Sequence, residues 1–297
     1  MTSPPRSIRL SNNRVTPYLA LILAASLFGA TFVVIKGALD DLPPLAFVGW
    51  RFLIAAVALA LLGRPKGLLI WKDGFVTGLV LYAAFALQTA GLTTTTASKS
   101  GLITGLYVVI TPLIVGAVRR SAPRWVTGAG AIMSVVGLGL LTATGVNEAF
   151  VFGDALTVGA AVAIAAHIVL VDQTAGRHPV VAYTTTQMAV VAGLALLTSA
   201  MFEGLPIPTQ SDLPALLMTG LFVSGGAFLI QIWAQTKISP DHTAFVLTLE
   251  PVFAVLTGVA IRDERLSRNG WLGASIMVSA IYFVLLASVR RDRALPG

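Results

Sequence analysis

The sequence has no cysteine and few charged residues, and both shortages restrict what the protein can be. Without cysteine there can be no disulfide framework and no thiolate metal site. Asp, Glu, Lys and Arg make up 11% of the chain, against roughly 25% in an ordinary globular domain. A soluble chain with so few charges could not cover its apolar surface, so the composition excludes a water-soluble protein.

Apolar residues are abundant instead, and they occur in long runs. They form 56% of the 297 residues, and the mean hydropathy is +0.85. The sequence therefore predicts an all-α polytopic membrane protein with ten transmembrane helices. Prolines and short polar segments separate the runs, as expected for loops. The predicted spans are residues 18–35, 44–62, 74–92, 97–118, 125–142, 154–171, 180–201, 214–234, 243–261 and 270–289.

The basic residues indicate the orientation of the chain in the membrane. A net charge of +7 and a pI near 10.1 could suggest nucleic acid, but the basic residues are scattered through short loops, so we expect no nucleic-acid partner. Of the 20 Lys and Arg residues, 14 fall on the side of the termini and five on the other. The positive-inside bias then predicts that both termini are cytoplasmic. We interpret the first apolar run as a retained span because it is long enough and shows no clear signal-peptide cleavage site.

Two stretches far apart in the chain resemble each other. Residues 245–258 (FVLTLEPVFAVLTG) and residues 105–118 (GLYVVITPLIVGAV) are apolar runs with a proline near the middle, Pro251 and Pro112. A proline inside a membrane helix frees a carbonyl and bends the axis, so both prolines are candidate hinges. Five spans per half is an odd number, so a duplicated second half would lie upside down in the membrane. This 5+5 inverted-topology repeat is a recurring transporter design, with binding at the midplane and alternating access.

The order of several short motifs resembles a known family. FGATFVVIK lies in the first span, P-x6-R in the second, a proline late in the fourth, EPVFAVLTG in the ninth and DERLSRNGWLG before the tenth. This order is similar to the EamA-type, ten-span members of the drug/metabolite transporter superfamily, and most like the YddG branch of amino-acid exporters. The resemblance implies export of small metabolites across a bacterial inner membrane. It also implies a central cavity lined by spans one, three, four, six, eight and nine.

The predicted organisation follows from the repeat and the resemblance. It comprises a cytoplasmic lead (residues 1–17), a first five-helix repeat (18–145), an inverted second repeat (154–289) and a cytoplasmic tail (290–297). Small residues at GxxxG spacing, Gly74 with Gly78 and Gly101 with Gly105, predict close helix contacts.

Polar residues within the spans are the candidate site. Aromatic faces and neutral hydrogen-bonding groups in an apolar wall suit a zwitterion with a variable side chain. For each of these residues ordinary helix packing is the alternative interpretation. The substrate-binding candidates are Phe28, Tyr82, Thr104, Tyr107, His167 and Gln231.

Two charged residues, Arg51 and Glu250, lie well away from the ends of their predicted spans, and each has two interpretations. Arg51 is either a clamp for a substrate carboxylate or a structural lock. Because the resemblance places the second span outside the cavity, we favour the structural lock. Glu250 could carry a coupling proton or could cap the backbone gap made by Pro251.

Several function classes lack their signatures. No GxSxG, HExxH or phosphate-binding GxxxxGK motif occurs, so we expect no enzyme, no metal and no cofactor. No ring of charges or carbonyl-filter sequence suggests a channel. The sequence therefore predicts a transporter of small molecules in the lipid bilayer, with neutral or aromatic amino acids as substrates. Export of drug-like cations or another metabolite is the alternative, and energy coupling and oligomeric state stay open.

Overall fold

The protein is described here from a computed structural model that covers residues 16–118, 120, 125–142, 150–238, 240–247, 249–263 and 265–294. Within those residues all regular structure is helical and there is no strand. A π-helical segment, Met218–Ala227, joins α9 to α10 without interruption, and a 3₁₀ turn, Ala175–Arg177, follows α7. The helices are α1 Thr16–Ala38, α2 Pro44–Leu62, α3 Leu68–Leu92, α4 Ala97–Thr104, α5 Tyr107–Val118, α6 Trp125–Thr142, α7 Phe152–Thr174, α8 Val180–Phe202, α9 Leu213–Leu217, α10 Phe228–Gln235, α11 Pro240–Val246, α12 Leu249–Arg262 and α13 Arg268–Ala294.

The surface of this helical bundle is apolar. Large side chains such as Leu61, Phe202 and Ile207 are more than three-quarters exposed, which water would penalise and lipid would not. In the described part of the chain, seven helices are long and apolar enough to cross a membrane. They are Thr16–Ala38, Pro44–Leu62, Leu68–Leu92, Ala97–Val118, Phe152–Arg177, Val180–Phe202 and Leu213–Gln235.

The protein is therefore all-helical and crosses the membrane several times, as the composition predicts. The other three predicted spans fall on α6, on α11 with α12, and on α13. Their number and the division into two fives stay predictions. The ends of the chain, residues 1–15 and 295–297, lie outside the described residues. The cytoplasmic location of both termini therefore stays a prediction.

Proline and an acidic side chain define the start of α2. Pro44 occupies the first turn of α2, where its missing N–H removes no hydrogen bond and its fixed φ favours the helix. The Glu203 carboxylate, just after α8, accepts the N–H groups of Leu45 at 3.0 Å and Ala46 at 2.8 Å. A negative charge at this end also complements the helix dipole, so Glu203 ties the end of α8 to the start of α2.

The most extensive helix packing joins the two halves of the chain. α2 packs on α8, α6 on α13, α3 on both α7 and α8, and α1 on α12. Glycines allow the closest of these approaches. A Cβ at Gly74 would overlap Thr186, and a Cβ at Gly78 would lie 2.8 Å from Val190 Cβ. The close contact predicted from this GxxxG pair is confirmed, between α3 and α8.

A second glycine-lined crossing brings α1 and α4 against α12. A Cβ at Gly101 would overlap Ala254, and one at Gly105 would lie 2.5 Å from Pro251. From the other side, a Cβ at Gly29 would lie 2.5 Å from the Glu250 carbonyl oxygen. This confirms the second GxxxG prediction and shows that the Glu250–Pro251 stretch lies where three helices meet.

A buried ion pair joins α4 to α7. Lys99 Nζ lies 2.7 Å from Asp154 Oδ2, and both side chains are almost fully buried. The other oxygen of Asp154 accepts the Thr95 hydroxyl at 2.5 Å, and Oδ2 also accepts the Val151 N–H at 2.9 Å. A buried pair is retained only when its hydrogen bonds are satisfied in this way. Lys99 and Asp154 thus connect the two halves of the chain.

Candidate functional site

The bundle encloses a cavity between helices of both halves. Its volume, taken as the space that the centre of a water-sized sphere can occupy, is about 40 Å³. This is room for about three water molecules. Ten apolar side chains form most of its wall, and seven polar ones interrupt it. The polar ones are Thr31, Arg51, Gln88, Tyr107, His167, Gln231 and Glu250.

Four phenylalanines, which we call the aromatic cluster, pack against one another beside the cavity, and all but Phe52 line it. They are Phe28, Phe52, Phe85 and Phe228, contributed by α1, α2, α3 and α10. Ring centroids are 5.0 Å apart for Phe28 and Phe228, 5.0 Å for Phe52 and Phe85, and 5.7 Å for Phe85 and Phe228. Such arrangements favour a fixed geometry. The cluster gives the cavity a rigid wall with aromatic faces.

Arg51 lies against this cluster and lines the cavity. Its guanidinium carbon is 5.1 Å from the ring centre of Phe52 and 5.0 Å from that of Phe85, within range of cation–π attraction. Its Nε donates to Ser224 Oγ at 2.9 Å. The residue is completely buried, and neither Nη1 nor Nη2 has a hydrogen-bond partner. The expectation that the second span lies outside the cavity is corrected, because α2 delivers Arg51 to its wall.

The π-helical segment Met218–Ala227 explains how α2 and Arg51 are placed. A Cβ at Gly220 would lie 2.8 Å from the Arg51 carbonyl oxygen, so only glycine lets α2 approach the segment so closely. The wider winding of a π-helix shifts its side chains relative to an α-helix. Here it places Ser224 within hydrogen-bonding distance of Arg51.

Tyr107 of α5 and Glu250 of α12 contact each other in the wall of the cavity. The Tyr107 hydroxyl donates to the Leu247 carbonyl at 2.8 Å. The same carbonyl also accepts the backbone N–H of Glu250 at 2.9 Å, and Pro251 lies in the first turn of α12, where a missing N–H removes no helical hydrogen bond. The backbone near Pro251 is therefore satisfied without a cap from the Glu250 side chain, and Tyr107 adds a second donor from the first half of the chain.

The Tyr107 oxygen also lies 3.2 Å from Glu250 Oε2. A hydroxyl has one proton to donate, so it serves either the carbonyl or the carboxylate at a given moment. A protonated Glu250 would itself donate to Tyr107, and both contacts would then be hydrogen bonds. The geometry makes the protonation state of Glu250 matter for a contact between the two halves.

One amide, Gln231, and one histidine, His167, line the wall of the second half. His167 Nε2 shares a hydrogen bond with Gln187 Oε1 at 2.7 Å. Gln231 donates to Gln235 Oε1 at 3.3 Å, and Gln235 donates to the Ile168 carbonyl at 2.9 Å. The His167 ring also packs edge to face against Phe228, with 6.1 Å between the ring centroids. The two residues supply neutral hydrogen-bonding groups beside the aromatic cluster.

The structure therefore brings together most of the candidates named from the sequence. Four of the six binding candidates, Phe28, Tyr107, His167 and Gln231, line one cavity with Arg51 and Glu250. The other two do not line it. The half-buried Tyr82 hydroxyl donates to Thr198 Oγ1 of α8 at 2.9 Å, because this face of α3 packs on α8. Thr104 accepts from Gln88 Nε2 at 3.1 Å, so it supports a lining residue from behind.

The two prolines lie beside helix breaks rather than at them. The fourth span is interrupted at Gly105 and Leu106, six residues before Pro112, with tight bonds such as Val108 N–H to the Gly105 carbonyl at 3.2 Å. The ninth is interrupted after α11, and α12 begins two residues before Pro251. The predicted bends thus occur earlier in the chain than the prolines, and a hinge role for the prolines stays a prediction.

Several residues of the site are not predicted by the sequence, among them the lining residues Gln88 and Phe85 and the partner of Arg51, Ser224. Gln88 is an amide in the middle of an apolar span, the same signal that identified Gln231. Ser224, the partner of Arg51, precedes two glycines in an apolar run, which marks a close approach. Phe85 gives no signal, because one phenylalanine among many apolar residues does not reveal which face of its helix it occupies.

Together these features define a class of protein. It is a multi-pass membrane protein with a cavity between its halves, and the described lining residues supply aromatic rings, neutral amides, one guanidinium and one carboxyl group. In the described part of the chain, no three His, Asp or Glu side chains come together as a metal site would require. The arrangement is suited to holding a small molecule in the membrane interior.

The chain belongs to the EamA-like transporter family. The family model matches it twice, at residues 15–143 and 151–286. An uncharacterized transporter of Archaeoglobus fulgidus is 33% identical over 274 residues, which cover 90% of this chain and 85% of that protein. The uncharacterized inner membrane transporter YedA of Escherichia coli K12 is 23% identical over 279 residues and 90% of both chains.

The fold is also similar to a solved one. A crystal structure of 19% identity superposes with a TM-score of 0.70 and covers 93% of this chain and 99% of that one. At that identity the likeness extends to the fold alone. The protein is thus a membrane transporter that acts on small molecules.

Proposed function

We propose that the protein exports neutral amino acids, aromatic and aliphatic, across the inner membrane, as the sequence resemblance to YddG-type exporters implies. The single observation behind this proposal is the cavity. Its walls are mostly apolar, with a few neutral groups such as Gln88 and Gln231 and two groups of opposite charge, Arg51 and Glu250. A molecule with an apolar side chain and a dipolar head complements such a wall.

The proposal includes ten spans arranged as two inverted repeats of five. The two matches of the family model, which divide the chain near residue 147, support this arrangement. The helix packing supports it as well. If α1 to α6 correspond to α7 to α13, with the α9–α10 helix matching α3, then exchanging the halves maps the main contacts onto one another. α3 on α7 corresponds to α1 on the α9–α10 helix, while α2 on α8 and α6 on α13 map onto themselves.

The proposal includes alternating access, which the small size of the cavity supports. The cavity has room for about three water molecules, fewer heavy atoms than an amino acid such as phenylalanine contains, so a substrate would enter only when the surrounding helices move apart. Two half-helix junctions, before α5 and before α12, contact each other through Tyr107. In this proposal they are the points where the halves rearrange to open the cavity to one side at a time.

Drug-like cations suit this cavity less well. Arg51 presents a guanidinium in the wall, and a second cation in a low-dielectric interior would be repelled by it. Glu250 is the one carboxyl group in the lining, and a cation site needs an acidic and aromatic environment.

The test is uptake of labelled phenylalanine and leucine by liposomes that contain the purified protein. The proposal expects saturable uptake that an excess of the unlabelled amino acid abolishes, with the substrate recovered unchanged. Current without saturation would indicate a channel instead. If the folded protein takes up no neutral amino acid, the substrate assignment is wrong, and a screen of other metabolites and cations follows.

We further propose that Glu250 carries a coupling proton. Its carboxyl group lies in the cavity and touches Tyr107, so gaining or losing a proton changes the contact between the halves. An imposed pH gradient should then stimulate uptake in the native protein and not in Glu250→Gln. Asp41→Asn, which removes an exposed carboxyl group from a loop, should keep the stimulation. Uptake that ignores the gradient in the native protein would make it a facilitator and give Glu250 a structural role.

A further inference from the structure

Arg51 has hydrogen-bonding capacity that the protein does not use. Its two terminal nitrogens, Nη1 and Nη2, are buried and have no partner, while Nε is bound to Ser224. Buried polar groups are almost always paired, so an unpaired one calls for an explanation. A guanidinium offers its terminal N–H groups as a planar fork that matches two oxygen atoms at once.

The charge of Arg51 is also uncompensated by any acid. Among the residues that the structure describes, no carboxylate lies within 4 Å of it, whereas Lys99 in the same bundle is paired with Asp154 at 2.7 Å. Its surroundings are the ring faces of Phe47, Phe52 and Phe85. Aromatic faces reduce the cost of a buried cation without occupying its hydrogen-bond donors. The result is a guanidinium held by Ser224 and the aromatic rings, with two buried and unpaired donor nitrogens, in a residue that lines the cavity.

We propose that Arg51 is the receptor for the carboxylate of the substrate, so that the transporter selects small monocarboxylates with an apolar body. This inference rests on the proposed function in taking the cavity as the transport site, but it needs no particular amino acid. Ser224 is a positioning residue in this proposal, because its hydrogen bond to Nε orients the fork.

A single negative charge fits the site better than a double one. Arg51 is the one Lys or Arg side chain in the lining, and Glu250 is in the same wall. A phosphate dianion would bring one charge more than the guanidinium neutralises, in an interior where an unpaired charge is expensive. The remaining wall is formed by apolar groups such as Phe32, Leu81 and Phe228, which accept an apolar body.

The experiment compares four analogues that share one aromatic body. Phenylalanine has both charged groups, 3-phenylpropionate lacks the amine, phenylalaninamide lacks the carboxylate, and phenethylamine lacks the carboxyl carbon altogether. Each competes with labelled phenylalanine for uptake into liposomes, and each is tested for protection of the purified protein against thermal unfolding. The two compounds with a carboxylate should compete and protect at concentrations at least about tenfold lower than the other two.

The variants separate recognition from a structural role. Arg51→Met replaces the guanidinium by a shorter, flexible and uncharged side chain and should reduce the preference for carboxylates to within about twofold. It should not lower the melting temperature of the empty protein, because replacing a buried charge by an apolar side chain is often neutral or stabilising.

Arg51→Lys keeps the charge without the fork and should raise KM while retaining part of the preference. Ser224→Ala should weaken binding less than Arg51→Met. Arg177→Met, which removes an exposed cation, is the matched control and should behave as the native protein does.

The outcomes distinguish this inference from the proposed function. If phenylalanine is transported and Arg51→Met keeps the native preference for acid over amide, the inference fails and the function stands. If phenylalanine is not transported but carboxylates protect the native protein and not Arg51→Met, the inference stands and the amino-acid assignment fails. If Arg51→Met does not fold, an undiminished carboxylate preference in Arg51→Lys and Ser224→Ala overturns the inference, while a reduced one supports it. Absence of protection by every carboxylate in the native protein overturns it as well.

Discussion

At the scale of single residues, Tyr107 shows how one side chain can serve both structure and function. The Leu247 carbonyl, at the break between α11 and α12, accepts the backbone N–H of Glu250 at 2.9 Å. The Tyr107 hydroxyl donates to the same carbonyl from the other half of the chain. This hydroxyl also lies beside the Glu250 carboxyl group, so one side chain contacts both the backbone at the helix break and the carboxyl group.

We expect Tyr107→Phe to lower the free energy of unfolding by about 1–2 kcal/mol, since a buried hydrogen bond between the two halves is lost. Thermal or denaturant unfolding of the purified protein in detergent measures the change. Tyr282→Phe removes a hydroxyl from a side chain that is 39% exposed and should leave stability unchanged. Equal stability of Tyr107→Phe and the native protein would show that the Tyr107 hydrogen bond does not stabilise the fold.

Polar residues, which are rare in the apolar runs, predicted the cavity better than the common apolar residues did. Gln231, His167, Arg51 and Glu250 are polar groups in apolar runs, and all four line the cavity. Tyr82 was equally polar but lies on the face of α3 that packs on α8. The type of residue does not reveal which face of a helix it occupies when the helix is apolar all round.

At the scale of helices, glycines determine how closely α4 and α1 approach α12. Ala254 of α12 is fully buried and faces Gly101, where a Cβ would overlap it. Membrane helices associate mainly through such close packing, because burying apolar surface against protein instead of lipid gives little gain. The crossing places Glu250 and Tyr107 in contact, so the glycines position the site.

We expect Gly101→Ala to destabilise the protein by about 1–3 kcal/mol through overpacking. The matched substitution Gly193→Ala lies in α8 where a Cβ meets nothing within 4 Å, and it should be neutral or stabilising by about 0.5–1 kcal/mol. Combining Gly101→Ala with Ala254→Gly should recover part of the loss. The free energy of unfolding of the four proteins gives the answer, and a Gly101→Ala variant as stable as the native protein would contradict the packing explanation.

At the scale of the whole molecule, the proposed inversion makes a topological prediction. The loop between α2 and α3 and the loop between α8 and α9 occupy corresponding places in the two halves. If the second half is upside down, these loops lie on opposite sides of the membrane. Lys66 and Gln210 are exposed residues in the two loops, and the positive-inside bias assigns Lys66 to the cytoplasm.

Because the chain has no cysteine, single cysteines can report sidedness without background. In intact bacterial cells, a membrane-impermeant maleimide should label Gln210→Cys at once and Lys66→Cys only after permeabilisation. The native protein is the unlabelled control. Labelling of both variants from the same side would exclude the inverted repeat, and the reverse pattern would exclude cytoplasmic termini.

The sequence by itself determined the class of this protein. Its shortage of charge and its apolar runs require a helical membrane protein, since only helices satisfy the backbone of such segments in lipid. The order of its motifs indicated the family to which it belongs. Prolines and glycines, which act through the backbone alone, indicated the loops and close contacts.

The tertiary structure decided which residues meet. Only the packing of α2 against the π-helical segment brings Arg51 into the cavity, and only the crossing of the two broken helices joins Tyr107 to Leu247. These contacts connect residues 140 or more positions apart in the chain. The sequence of a helix that is apolar all round does not show which of its faces packs against another helix. The composition of each helix follows from the lipid, whereas the site follows from how the helices pack on one another.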